Sequence, residues 1–209
     1  MHFEVASFMG QGQADAGAIN LPDASTLPFM ACRQAVLNRG EPPLSFLQEL
    51  VAWGRTADRA LFAPNVAFDI YSAMAPQLGP WNGPNHRRAA MLEALRVLGG
   101  FESSWIWQEG RDPDNSNPSQ CAEEAGIFQC SGDSMALDPS LKHQLLRAGG
   151  DGSCASFITT TKADHAFATE YCARLLRVTT KHHGPVRFGH INAWLRRDAV
   201  EEFQRFLGA

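Results

Sequence analysis

The feature that most constrains the fold is an apolar helical segment that ends at a pair of glycines. Large apolar side chains recur over residues 86–98 at the spacing of one helix face, and these are Met91, Leu92, Leu95 and Leu98. We expect a buried core helix that is capped at its start by Asn85 and stopped by Gly99 and Gly100. The segment Phe101-Glu102-Ser103-Ser104-Trp105 follows this helix at once.

Helical patterns recur along the rest of the chain, whereas strand patterns are few and weak. Further helices are predicted over residues 28–38, from 43 to about 61, and over 68–74, 137–147, 162–182 and 197–207. The sequence therefore predicts a mainly α fold with a minor α+β component. We divide it into an N-terminal helical segment, residues 1–80, packed on the core, and a second domain, residues 81–209.

Composition and charge argue against several classes of protein. Of the 209 residues, 44% are hydrophobic and 19% are charged, which is a globular composition. The formal net charge is −4, whereas nucleic-acid-binding proteins usually carry a basic excess. No apolar stretch is long enough to predict a membrane-spanning helix, and the first residues lack the basic patch and apolar run of a secretory signal. We expect neither nucleic acid nor a membrane as partner.

The five cysteines include no CxxC pair, which argues against a zinc ribbon or a thioredoxin-type site. One interpretation is that all five are buried small apolar side chains. Cys121 and Cys130, however, bracket a short loop that contains Gly126-Ile127-Phe128-Gln129. If the protein acts outside a reducing cytoplasm, we expect a disulfide between these two residues to fix that loop.

Glu102 is the candidate catalytic acid because it follows the core helix among aromatic residues. Phe101, Trp105 and Trp107 flank it in the sequence. Apolar rings around a carboxyl group disfavour its charged form, which keeps a general acid protonated near neutral pH. Cleavage of a glycosidic bond needs such an acid beside the leaving oxygen. The alternative is an ordinary surface glutamate.

The segment Gly126-Ile127-Phe128-Gln129 suits a sugar-binding site. A glycine lets the backbone approach a ligand closely, and the Gln129 amide offers both a donor and an acceptor to an N-acetyl sugar. A Gly-x-x-Gln motif is common when it stands alone. It is much less common after a core helix that leads into Glu-Ser-Ser-Trp.

Together, Glu102-Ser103-Ser104-Trp105 and Gly126-Ile127-Phe128-Gln129 resemble the signature of the lysozyme-like superfamily. The nearest branches are the goose-type lysozymes and the bacterial lytic transglycosylases. A third family motif, usually Tyr-Asn-Ala-Gly, is matched by His190-Ile191-Asn192-Ala193-Trp194 in Asn-Ala alone. The resemblance spans residues 86–200 and implies a lysozyme-like helical domain, here with additional N-terminal helices.

The resemblance implies cleavage of the β-1,4 bond between N-acetylmuramic acid and N-acetylglucosamine in peptidoglycan, without a cofactor or a metal. Glu102 would be the catalytic acid. The implied substrate-binding residues are Gln129, the backbone near Phe128, Ser104, Trp105, His190 and Asn192. Of Trp105, Trp107 and Trp194, we expect one to line the cleft and the others to pack in the core.

The second catalytic group is left open by the sequence. An inverting hydrolase needs a second carboxylate that activates water, whereas a lytic transglycosylase needs none. Candidates are Asp114, Asp133 and Glu124, with Asp112 and Glu123 as further alternatives. Residues 112–117 also resemble a calcium loop, but they lack the glycine and the terminal glutamate of an EF-hand. A tract of Asx turns is the simpler interpretation of that segment.

Peptidoglycan lies outside the cytoplasm, so the expected activity needs a delivery route. One route is that of a phage-type endolysin. The other is a contact-dependent machine such as the type VI secretion system, whose small glycoside hydrolase effectors this chain resembles. Endolysins are often basic because the wall is anionic, so the acidic charge favours the effector. We expect an antibacterial toxin made without a signal peptide, active in the periplasm of a target bacterium and neutralised by an immunity protein. The alternatives are an endolysin, a lytic transglycosylase and a non-catalytic relative that binds glycan or protein.

Overall fold

Eight α-helices are found in residues 21–208, the part of the chain that the computed structural model describes. In chain order they are α1 (Leu44–Thr56), α2 (Ile70–Leu78), α3 (Gly83–Ser103), α4 (Pro139–Arg147), α5 (Cys154–Ala163), α6 (His165–Val178), α7 (Gly184–Arg187) and α8 (Arg197–Leu207). Two short strands, β1 (Glu124–Ala125) and β2 (Cys130–Ser131), pair antiparallel with Ala125 opposite Cys130. The described part is 59% helical and 2% strand, which confirms the mainly α prediction.

Helix α3 lies at the centre of the core. Every residue from Ala89 to Gly100 is buried, and the helix contacts α1, α6 and α8. It begins at Gly83, so Asn85 lies inside its first turn and does not cap it as we predicted. Among residues 21–208, no helix has the length and apolar character needed to cross a bilayer.

The glycine pair does not end α3, contrary to the prediction. The helix runs through Gly99 and Gly100 because the ring of Trp105 folds back onto them. A Cβ at Gly100 would lie 2.7 Å from Cζ2 of Trp105. The Trp105 indole donates a hydrogen bond of 2.9 Å to the carbonyl of Arg96. The helix ends only at Ser103, where Ser104 and Trp105 adopt left-handed backbone conformations, so Glu102 belongs to its last turn.

Two oppositely charged side chains of α3 form a buried ion pair, which also binds segments that are distant in sequence. Glu93 and Arg96 are fully buried and form a two-point contact, with distances of 2.7 and 2.8 Å. Arg96 also donates to the carbonyl of Gln34, and Glu93 accepts a hydrogen bond from the backbone of Arg196. Because a buried charge must be paired and hydrogen-bonded, this pair fixes how the segments of Gln34 and Arg196 dock on α3.

The predicted helix over residues 28–38 is wrong, because that segment consists of turns. The carboxylate of Glu202, on α8, accepts hydrogen bonds from the backbone N–H groups of Met30 and Cys32, at 2.9 and 2.7 Å. These donors are therefore satisfied by a distant side chain and not by helical carbonyls. Residues 27, 29, 32 and 36 still join the core that includes α3 and α8.

Other helix predictions are confirmed in part. The structure has α8 with the predicted bounds and α4 starting two residues late, with Asp138 as its N-cap. The single helix predicted over 162–182 is instead α5 and α6, since the side chain of Asp164 caps α6 through the Phe167 N–H. Of the predicted segment 1–80, residues 1–20 lie outside the described residues, and the division at residue 80 stays a prediction.

Candidate active site

Glu102 and Gln129 line the same groove, which has a volume of about 540 Å³. Glu102 comes from the last turn of α3, and Gln129 from the tight turn between β1 and β2. The remaining walls are the loop 109–117, part of the β1–β2 hairpin, and residues 182–184 before α7. The end of α3 is tied to the hairpin by Ser103, whose hydroxyl donates a 2.8 Å hydrogen bond to the carbonyl of Ile127.

Glu102 contacts an ionisable side chain, that of His183. Its Nδ1 lies 3.3 Å from Oε1 of Glu102, and the side chains are 3% and 17% exposed, respectively. The other ring nitrogen, Nε2, lies 3.8 Å from Sγ of Cys130 and 3.8 Å from Sγ of Cys172. His183 therefore connects the groove to a pair of buried thiols behind it.

The electrostatics of His183 and its neighbours depart from ordinary behaviour. Burial opposes a charge on His183, but contacts with Cys130 and Glu102 outweigh it and raise its pKa to about 10. A hydrogen bond from Cys172 and the proximity of His183 lower the pKa of Cys130 to about 6, against the effect of burial. His182 has no such partners, and burial lowers its pKa to about 4. Adjacent histidines thus have opposite preferences for charge.

The aromatic environment predicted for Glu102 is wrong in its main part. Trp105 is buried against Gly99 and Gly100, and therefore it is not available to a sugar. Trp107 stacks on His165, with ring centroids 3.9 Å apart, and Trp194 packs partly buried on the core. Among the residues that the structure describes, the groove lining includes no tryptophan, so the expectation that one of them lines the cleft is not met.

The Gly126–Gln129 turn holds its glutamine in a constrained position. Gln129 has a left-handed backbone with a φ of 46°, and its amide donates a 3.0 Å hydrogen bond to the carbonyl of Gly126. Gly126 has a positive φ of 69° and packs on α5, where a Cβ would lie 2.9 Å from Cγ2 of Thr161. Phe128 is buried in the core. The Gln129 carbonyl oxygen and one amide hydrogen remain for a ligand.

Three further predicted binding residues lie away from the groove as the structure describes it. Ser104 forms the left-handed turn after α3. His190 is exposed and Asn192 half-buried, both in the short helical turn His190–Ala193. None of the three is among the residues found to line the groove between positions 21 and 208. The incomplete match of the third family motif therefore coincides with its position outside the groove.

Two of the three main candidates for the second carboxylate line the groove, and so does the further alternative Asp112. Both oxygens of Glu124 lie 2.8 Å from the Asn115 amide, which donates to them, and Asp133 accepts a 2.6 Å hydrogen bond from Ser131. Asp114 is exposed and does not belong to the described lining. Glu109 lines the groove as well, although the sequence analysis did not select it.

The loop that carries Asp112 is a series of Asx turns, as the simpler interpretation predicted. The side chains of Asp112, Asn115 and Asn117 each accept a hydrogen bond from the backbone N–H two residues further on. Arg111 donates to the carbonyls of Asn115 and Asn117 from within the loop. The loop therefore presents Arg111 and Asp112 to the groove on a backbone that is internally hydrogen-bonded.

The predicted disulfide between Cys121 and Cys130 is wrong. Cys121 is bonded to Cys154, the first residue of α5, with a Cα–Cα distance of 5.0 Å. Cys130 lies on β2 and is buried, with its thiol 3.8 Å from Nε2 of His183. The observed bridge anchors the rim of the groove beside Ala122 to α5.

His183 and Arg111 are the main features of the groove that sequence reasoning missed. His183 lies beyond α6, which ends at Val178, and directly before α7. No signal in the sequence places Cys130 and Cys172 next to His183.

Comparisons of the chain with protein-family models, curated proteins and solved structures found no match.

Proposed function

We propose that this chain is a peptidoglycan-degrading glycoside hydrolase in which Glu102 is the catalytic acid. The observation that carries the proposal is that Glu102 and Gln129 line one groove. The lysozyme-like resemblance pairs these two residues, although they belong to different elements and are distant in sequence. The groove is of the size of small-molecule sites, which hold roughly 300–1,000 Å³.

The chemistry available in the groove supports this assignment. Cleavage of the β-1,4 bond between N-acetylmuramic acid and N-acetylglucosamine needs a proton donor at the leaving oxygen. Glu102 is partly exposed on the groove wall, so a substrate can reach it. The free donor and acceptor of the Gln129 amide suit the N-acetyl group of a sugar.

Glu124 and Asp133 are the candidates for a second carboxylate. In an inverting hydrolase one of them would activate the attacking water. In a lytic transglycosylase, the alternative within the same family resemblance, neither would be required. The two reactions leave different sugar ends, so the products distinguish them.

We further propose that the protein acts as an antibacterial effector in the periplasm of a target bacterium, delivered by a route such as type VI secretion. The Cys121–Cys154 disulfide supports an oxidising place of action, because such bonds persist outside reducing compartments. A cognate immunity protein would block the groove. A phage-type endolysin and a non-catalytic relative that binds glycan or protein are the alternatives.

The proposal is tested by incubating the purified chain with isolated cell-wall sacculi and identifying the released fragments by mass spectrometry. Reducing muramic acid ends identify a muramidase, anhydro ends a lytic transglycosylase, and reducing glucosamine ends a glucosaminidase. Glu102→Gln is expected to lower fragment release by about 10²- to 10⁴-fold, the usual contribution of a general acid. Asp114→Asn, a neutralised acid outside the described groove lining, is the matched control. Undiminished release by a folded Glu102→Gln variant, or no release by the wild type at any pH, would overturn the proposal.

A further inference from the structure

Three soft metal ligands converge behind the groove. Sγ of Cys130, Sγ of Cys172 and Nε2 of His183 all lie within 4.8 Å of one another. They come from three separate elements, β2, α6 and the residue before α7, and all three residues are buried. The proposed glycosidase chemistry makes no use of the two thiols, so their convergence is not explained by it.

The spacing of the three atoms matches the coordination of zinc. Zinc binds thiolate sulfur at about 2.3 Å and imidazole nitrogen at about 2.0–2.1 Å, and a tetrahedral angle then separates nitrogen from sulfur by about 3.6 Å. Both observed distances from Nε2 to sulfur are 3.8 Å. An ion of this size therefore fits between the ligands after shifts of a few tenths of an ångström. A site with two sulfur ligands and one nitrogen ligand selects zinc over magnesium or calcium, which suit oxygen ligands.

The remaining ring nitrogen has the partner that metal-bound histidines usually have. Nδ1 of His183 faces the carboxylate of Glu102 at 3.3 Å. A histidine that binds metal commonly directs its second nitrogen to a carboxylate, which fixes the orientation of the ring. Here that orientation aims Nε2 at both thiols. The third unbridged thiol of the described chain, Cys32, lies elsewhere and contacts the carbonyl of Ala199.

We propose that Cys130, Cys172 and His183 bind one zinc ion behind the groove. Three protein ligands leave the fourth tetrahedral position for a small ligand such as water. Binding replaces thiol and imidazole protons, and about two protons are released per ion as two thiolates and a neutral imidazole form. The ion fixes the ring of His183 with its Nδ1 toward Glu102. Any effect of the bound ion on fragment release rests on the proposed glycosidase function. The binding of zinc itself does not depend on that function.

Metal binding is tested on the full chain with the two thiols reduced. The protein is incubated with zinc, desalted and analysed for metal content, and cobalt is used as a spectroscopic substitute because thiolate-bound cobalt has a charge-transfer band in the near ultraviolet. We expect one ion per chain, a cobalt–thiolate band and a zinc-dependent rise in the thermal midpoint. Cys130→Ser and Cys172→Ser should each abolish the band. Cys32→Ser is the matched control and should keep all three signals.

Several outcomes would overturn the proposal. They are the absence of metal uptake by the reduced wild type, uptake that survives in both Cys130→Ser and Cys172→Ser, and formation of a Cys130–Cys172 disulfide in the presence of zinc. If a serine variant does not fold, Cys172→Ala and His183→Gln provide the same comparison. Glu102→Gln separates the two proposals, since it should still bind one zinc ion while fragment release is lost.

Discussion

The carboxylate of Glu102 lies 3.3 Å from Nδ1 of His183, and this contact joins the last turn of α3 to the segment that follows α6. The candidate acid therefore has a polar, ionisable neighbour where the sequence predicted aromatic rings. The same histidine contacts two thiols on its far side. Glu102 is thus connected through His183 to a buried cluster that no single sequence motif contains.

Gln129 should contribute to substrate binding and little to stability. In Gln129→Asn the amide is shortened while a residue that tolerates the left-handed backbone is kept. We expect kcat/KM for sacculus digestion to fall by about 2- to 10-fold, the value of one lost hydrogen bond. The free energy of unfolding in urea should fall by no more than about 0.5–1.5 kcal/mol, the net value of the lost hydrogen bond to Gly126. Unchanged digestion kinetics would show that the amide does not contact the glycan.

The role of the second carboxylate is tested by neutralising each candidate in turn. If the enzyme is an inverting hydrolase, either Glu124→Gln or Asp133→Asn should lower fragment release by about 10²- to 10⁴-fold. Asp114→Asn should have no such effect, because that side chain is exposed outside the described lining. If both variants release fragments with reducing ends at the full rate, neither carboxylate is the base.

The Cys121–Cys154 bridge should contribute substantially to stability. It closes a loop with a sequence separation of 33, for which chain entropy predicts a stabilisation of about 3–4 kcal/mol. Cys121→Ser should lower the free energy of unfolding in urea by about that amount. The double variant Cys121→Ser/Cys154→Ser should lose no more than either single variant. Peptide mapping without reductant should recover the Cys121–Cys154 linkage, and recovery of Cys121 with Cys130 would refute the pairing.

Gly100 should be intolerant of even a methyl group. Gly100→Ala would place its Cβ 2.7 Å from the Trp105 ring, which is closer than carbon atoms pack. We expect a loss of about 1–3 kcal/mol in unfolding free energy, although alanine favours helix. Gly110→Ala is the control, because the nearest atom to its Cβ is the flexible end of Lys162 at 3.8 Å. Equal stability of the two variants would contradict the packing of Trp105 on α3.

The sequence predicted the elements whose cause is local. Helix α8 has its predicted bounds because its apolar stripe and the glycine that ends it, Gly208, are local signals, and Asp138 marks the start of α4 as a cap. The failures have distant causes. Two glycines in a row indicate a helix end, but here the ring of Trp105 covers Gly99 and Gly100 and the helix continues. Residues 28–38 do not form the predicted helix, and the carboxylate of Glu202 accepts hydrogen bonds from their backbone instead.

The candidate site also contains residues that have a local sequence signal and residues that have none. Glu102 and Gln129 follow from short motifs, and the structure places both in one groove. His183 could not be selected, because its importance depends on Cys130 and Cys172, which only the folded chain brings to it. The disulfide partner of Cys121 was missed for a related reason. Proximity along the chain favoured Cys130, whereas the packing of α5 brings Cys154 to 5.0 Å.

The unbroken course of α3 sets a phase relationship between its buried ion pair and its last turn. Arg96 is anchored to Gln34 and Glu93, whereas Glu102 faces the groove. Inserting or deleting one residue between Arg96 and Glu102 would rotate the carboxylate by about 100° around the helix axis and displace it by about 1.5 Å along it. A change in the length of this stretch would therefore turn the carboxylate away from its groove, whatever side chains the segment carries.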